Sequence, residues 1–169
     1  MSLQEHKSSA PQEIRVAVIT VSDTRTLETD TGGKCVADYL AKNGHTLVQR
    51  AIVPDEPTQM EILIGSLANR TDVDAILITG GTGISGRDQT YETISSLLER
   101  SLPGYGELFR TLSYQEIGAA AMLSRATGGL VGNTLLLSMP GSPAAVRLAM
   151  EKLILPELGH LIREAQRKD

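Results

Sequence analysis

Residues 14–21 (IRVAVITV) form a nearly unbroken run of apolar and β-branched side chains. That is the pattern of a strand buried on both faces, as in a parallel sheet. Over residues 33–43 the period changes: Val36, Tyr39 and Leu40 share a helical face, and Gly44 supplies the stop. Residues 46–53 predict a second strand, closed by Pro54. Met60, Leu63, Ile64 and Leu67, at i, i+3, i+4 and i+7, predict a second amphipathic helix. Residues 75–79 (AILIT) read as a third buried strand that runs into Gly80-Gly81-Thr82-Gly83. Tyr91, Ile94, Leu97 and Leu98 form another helical face, and Pro103-Gly104-Tyr105-Gly106 predicts a break before a helical region over residues 107–125. Residues 134–139 (TLLLSM) predict a fourth strand entering Pro140-Gly141-Ser142-Pro143, followed by helical patterns over residues 144–152 and 155–167.

Strands alternating with amphipathic helices predict a three-layer α/β/α fold with a mostly parallel sheet. The short segment 128–133, rich in glycine, adds a hairpin with one antiparallel strand. Residues 1–13 are polar and read as a flexible tail, leaving 14–169 as a single domain. In such sheets ligands bind beyond the carboxyl ends of the strands. Residues 22–26, 54–56, 79–90 and 140–143 all follow predicted strands, so all four segments are expected on one edge.

Composition narrows the chemistry. Four Tyr, one Phe and no Trp stand among 169 residues. The core must be aliphatic, and binding modes that stack bases on aromatic platforms or sandwich a flavin are disfavoured. A net charge of −4 gives no basic footprint for nucleic acid and no polybasic segment for a membrane surface. No signal-peptide h-region and no spanning run is present, and the single Cys35 can form no intrachain disulfide. A cytoplasmic protein is expected. A polyanionic substrate would have to be held by local devices, because the overall field is mildly repulsive.

The candidate chemistry sits in the strand-to-helix turns. The glycines of residues 79–83 allow close backbone approach and can turn N–H groups toward an anion, or they can serve a tight turn and nothing more. The segment is neither a Walker A motif nor a G-x-G-x-x-G fingerprint. Asp88 could hold Mg²⁺ against phosphates, or Asp88 or Thr90 could cap the next helix. Asp55 in Pro54-Asp55-Glu56-Pro57 has the same two readings, with Pro57 favouring a helix start. Ser142 before Pro143 is an ordinary N-cap that also presents free N–H groups to an anion. Ser22, Thr24 and Arg25 follow the first strand and read as a solvated loop or a phosphate contact. Glu107 and Arg110 read as an exposed helical pair. Ser124-Arg125 reads as an anion contact or a helix terminus. His6, His45 and His160 are scattered, with no metal-ligand spacing, and Cys35 reads as packing.

Taken in order, residues 18–23 (VITVSD), 54–56 (PDE), 79–83 (TGGTG) with Arg87-Asp88, Pro103-Gly104 with Glu107, 123–125 (LSR) and 139–143 (MPGSP) resemble the molybdenum cofactor biosynthesis family. Its members include MoaB-type proteins, the molybdopterin adenylyltransferases and the G domain of gephyrin. The resemblance implies a reaction of molybdopterin with Mg-ATP that yields adenylylated molybdopterin and pyrophosphate. It also implies a homo-oligomer, trimer or hexamer, with no tightly bound cofactor. Asp55 and Asp88 match the family's catalytic acids and would hold Mg²⁺. Gly80, Gly81, Thr82 and Gly83 match the ligand loop, with Ser22 and Arg87 beside it. Pro140, Gly141 and Ser142 match a second part of the pocket. Many active relatives carry Thr-Pro-Glu where this chain has Thr90-Tyr91-Glu92. The resemblance leaves a second reading, a non-catalytic oligomer that binds molybdopterin or its precursor. Either way, pterin and adenine would be held by turns and aliphatic walls, with Phe109 and the tyrosines outside those turns.

Overall fold

The computed structural model describes residues 10–167. The chain runs β1 (Arg15–Val21), α1 (Thr31–Lys42), β2 (Thr46–Val53), α2 (Pro57–Ala68), β3 (Ala75–Thr79), α3 (Thr90–Leu97), β4 (Arg100–Ser101) and α4 (Pro103–Ile117). A 3-10 turn (Gly118–Leu123), β5 (Gly128–Val131), β6 (Thr134–Met139), α5 (Pro143–Ala149), a π-helical turn (Met150–Ile154) and α6 (Leu155–Gln166) complete it.

The six strands form one sheet in the order β2-β1-β3-β6-β5-β4. β2, β1, β3 and β6 are mutually parallel, and β5 runs against both β6 and β4. The expected antiparallel strand is β5. The two-residue β4 that pairs with it was not foreseen, since two residues carry no period.

Alternation along the strands explains the three layers. Val16, Val18, Leu77, Leu135 and Leu137 face α1, α4, α5 and α6 in one aliphatic core. Ala17, Ile19, Ile76, Ile78 and Leu136 face α2 and α3 in the other. Two of the aromatic rings, Tyr105 and Phe109, are buried, both in the first core. Among the described residues no helix is long and apolar enough to cross a membrane.

Several boundaries differ from the pattern. α1 begins at Thr31, two residues earlier, because the Asp30 carboxylate caps it by accepting from Gly33 N–H at 2.9 Å. The same buried carboxylate accepts from Thr20 Oγ1 (2.7 Å) and the Arg50 guanidinium (2.9 Å), which ties α1 to β1 and β2. At the other end Gly44, at φ +76°, follows the C-cap Asn43. Pro103 is no break: it opens α4, where its missing N–H costs nothing. The helical region beyond it does not reach residue 125, since α4 stops at Ile117 and the chain is extended from Ser124. The two last helices are joined without interruption through the π-helical turn. Of the expected tail, residues 1–9 lie outside the described residues, while Ala10 and Pro11 lie against Gly159 of α6.

Candidate active site

Because β1, β2, β3 and β6 are parallel, the segments after them meet at one sheet edge, as expected. The connection after β1 leads to β2 on one side and the connection after β3 leads to the strands on the other, so the crevice opens between the carboxyl ends of β1 and β3. Gly80 N–H donates to Met139 O at 3.1 Å, so the turn after β3 is laid directly beside the turn after β6.

A chain of three cavities follows this edge. The smallest, about 130 Å³, is lined by Thr20, Ser22, Arg25, Asp30, Gly80 and Gly141, among others. The middle one, about 370 Å³, is lined by Gly81, Thr82, Gly83, Asp88, Pro140, Gly141 and Ser142, together with Phe109, Ser113 and Ser124. The largest, about 580 Å³, is lined by Tyr91, Glu107, Arg110, Ser124, Arg125 and Thr127, among others. Gly141 is shared by the first two and Ser124 by the last two.

The glycine turn has a steric reason. Gly81 adopts φ +62°, and a Cβ there would stand 2.0 Å from Thr90 Oγ1 and 2.5 Å from Asp55 Oδ2. Asp55 thus lies directly behind the turn, buried at 6% exposure. Its N–H donates to Asp23 Oδ1 (3.1 Å), and its Oδ1 accepts from Gln89 N–H (3.0 Å). Burial pushes the Asp55 carboxyl above the ordinary aspartate range, with the charges of Asp88 and Asp23 adding to the rise and the Gln89 bond opposing it. Asp88 turns back into its own loop, accepting from Ser85 N–H (3.1 Å) and Ser85 Oγ (2.7 Å).

The capping alternatives do not hold for α3. Its N-cap is Gln89 with no side-chain cap, and Thr90 is fully buried, 3.9 Å from Met60 Sδ. Glu56 is the N-cap of α2, again without a side-chain bond, and Pro57 follows it. Ser142 does cap α5, its Oγ accepting from Ala145 N–H at 3.2 Å.

Two expected ligand residues are otherwise engaged. Arg87 Nε donates to Asp23 (2.8 Å) and its NH1 to Glu56 (2.9 Å), joining the loops after β1, β2 and β3. The Arg87 bond holds the Asp23 carboxyl below its usual range, helped by Asp55 N–H. Ser22 Oγ accepts from Thr24 and Arg25 N–H (3.2 and 3.1 Å), so it closes its own turn.

Other residues enter the site as well. Tyr105, Phe109 and Ser113 form the inward stripe of α4, which brings Phe109, from outside those turns, to the middle cavity. Arg110 is not an exposed partner of Glu107: its NH1 donates to Ser124 O (3.4 Å) and Ala126 O (3.2 Å). The Ser124 hydroxyl is buried with no hydrogen-bond partner among the described residues, where the two larger cavities meet. The only local signal for it was the Ser124-Arg125 pair.

Among the described residues no group of three or more His, Cys, Asp or Glu side chains is disposed to hold a metal. The chemistry of the donors still suits one kind of ion. Asp55 and Asp88 repel each other in the anionic state, and Mg²⁺ typically takes one or two carboxylates, with waters and substrate phosphates completing the shell.

Residues 17–160 match the family described as "Probable molybdopterin binding domain". The chain is 52% identical to Molybdenum cofactor biosynthesis protein B of Bacillus subtilis over 172 residues, covering 100% of this chain and 99% of the relative. A crystal structure of a Molybdenum cofactor biosynthesis protein B superposes with a TM-score of 0.91 at 48% identity, covering 95% of this chain and 100% of that one. The tungsten cofactor synthesizing protein MoaB from Pyrococcus furiosus superposes with a TM-score of 0.84 at 34% identity, covering 94% of this chain and 100% of that one. Fold and sequence agree: this chain belongs to the molybdopterin-binding family of molybdenum cofactor biosynthesis proteins.

Proposed function

We propose that the part this chain plays in molybdenum cofactor biosynthesis is the Mg-ATP-dependent adenylylation of molybdopterin. The observation that carries this reading is the pair of larger cavities meeting at the unpartnered Ser124 hydroxyl. They give room for two ligands and a polar group where their reacting ends would meet. A terminal phosphate oxygen of molybdopterin attacks the α-phosphorus of ATP. The new P–O bond forms as the bond to the β,γ-phosphates breaks, and pyrophosphate leaves. Such transfer asks mainly for positioning and charge neutralisation. The turn at Gly81, Thr82 and Gly83 and the turn at Pro140, Gly141 and Ser142 flank the anionic groups. Asp88, with Asp55 behind it, would hold Mg²⁺, which neutralises phosphate charge when bound. Arg87 serves by binding the loops of Asp23 and Glu56 together, and a direct phosphate contact would require it to leave those partners.

The test is pyrophosphate release from purified protein with Mg-ATP and molybdopterin. Turnover is expected, and Asp88→Asn and Asp55→Asn should each reduce it to background while thermal unfolding stays cooperative. Retention of molybdopterin without turnover would overturn the catalytic reading and leave the binding oligomer. Exposed apolar side chains at Leu108, Tyr114, Ile117 and Met122 support self-association, which light scattering measures directly.

A further inference from the structure

We propose that Arg125 is a positioning residue that sets the neck of the loop carrying Asp88. The inference rests on the adenylylation reading for its kinetic consequence, though not for its geometry. The loop leaves the sheet edge at Thr82 and Gly83 and returns at Asp88, and one guanidinium spans that neck. Arg125 Nε donates to Thr82 O at 3.3 Å, and NH2 donates both to Gly83 O and to Asp88 O, the latter at 3.1 Å. NH1 pairs with Glu92 at the start of α3, and the guanidinium lies 5.2 Å from the centre of the Tyr91 ring. A planar fork with several fixed donors can hold three backbone carbonyls at once, and a lysine ammonium cannot reproduce that arrangement.

The rest of the loop explains why the neck matters. Asp88 is held within the loop by Ser85, and Gln89 N–H is the group that binds Asp55. The spacing between the two carboxylates therefore depends on where residue 88 rejoins the sheet edge. Arg125 fixes that point from a segment outside the loop, and its Glu92 and Tyr91 contacts orient the fork. Arg125 also lines the largest cavity, so the same side chain links the loop to the second lobe of the cleft.

Two measurements on Arg125→Ala and Arg125→Lys decide the matter. The first is amide hydrogen exchange of ligand-free protein. Residues 83–90 should exchange roughly tenfold faster in both variants, with the β1, β3 and β6 amides unchanged. The second is steady-state adenylylation. In Arg125→Ala, kcat should fall about a hundredfold while KM for molybdopterin changes little, because misplacement of a reacting group by an ångström has that scale of effect. Added ethylguanidinium should restore part of kcat in Arg125→Ala and none in Arg125→Lys. Unchanged exchange across residues 83–90 would overturn the proposal. So would a rise in KM for molybdopterin with kcat retained, which would make Arg125 a ligand contact. If the wild-type protein shows no turnover, the reaction is wrong, and the exchange experiment alone still decides whether Arg125 holds the loop.

Discussion

Replacing Gly81 with alanine should test whether Asp55 presses against the glycine turn. The backbone there has φ +62°, and a new Cβ would meet Thr90 Oγ1 at 2.0 Å and Asp55 Oδ2 at 2.5 Å. The left-handed conformation alone costs about 1–2 kcal/mol for a residue with a Cβ. Relieving the clash requires Asp55 to move, which loosens its bond from Gln89 N–H, and a hydrogen bond to a carboxylate contributes about 1.5–3 kcal/mol. The sum is about 2.5–5 kcal/mol, or a fall in Tm on the order of 10 °C for a chain of this size. Gly44→Ala is the internal control. Its φ is +76°, but a Cβ there meets nothing within 4 Å, so only the conformational cost remains, about 4 °C. Scanning calorimetry of the two variants beside wild type gives the comparison. A Gly81→Ala protein no less stable than Gly44→Ala would refute the placement of Asp55 and Thr90 behind the turn.

Two further outcomes are expected. Phe109, 1% exposed, contributes its ring to the first core and to the middle cavity, so Phe109→Ala should cost about 3–5 kcal/mol in urea unfolding, and Phe109→Leu markedly less. His45 Nδ1 accepts from Ile14 N–H at 3.3 Å, and burial lowers the imidazole below its ordinary 6.5, with Glu13 opposing. The folded chain then binds fewer protons than the unfolded one just below that value. The contribution of this contact is intact above the unfolded pKa and is lost as pH falls from there through the lower folded pKa. The urea midpoint should drop more between about pH 7 and pH 5 in wild type than in His45→Gln.

The centre of the sheet was legible because β1, β3 and β6 are buried on both faces. β2, β3 and β6 span the residues expected of them, 46–53, 75–79 and 134–139. The shared edge followed from their being parallel, and with it the meeting of the turns after β3 and β6. What escaped was the far wall of the cleft. Phe109 and Ser113 belong to a helix whose buried positions include Gly106 and a serine, so no strong apolar stripe marks which side faces the site. The position of Ser124 depends on how the chain turns after Gly118, which has φ +66°, and nothing local to Ser124 records that. The engagement of Arg87 was equally hidden, since its partners Asp23 and Glu56 sit 64 and 31 residues away.

The pairing of β3 with β6 has a consequence for how the molecule is made. β3 has β1 on one side and β6 on the other, with Ile78 set against Ser138 and Thr79 against Met139. A chain emerging from the ribosome can join β1, β2 and β3 early, yet the edge of β3 stays bare until some sixty more residues have been added. Non-local pairing of this kind is slow and leaves apolar strand surface exposed while it waits. The cleft has no half-built form, because one of its two turns does not exist until the strand that completes the parallel sheet has been synthesised.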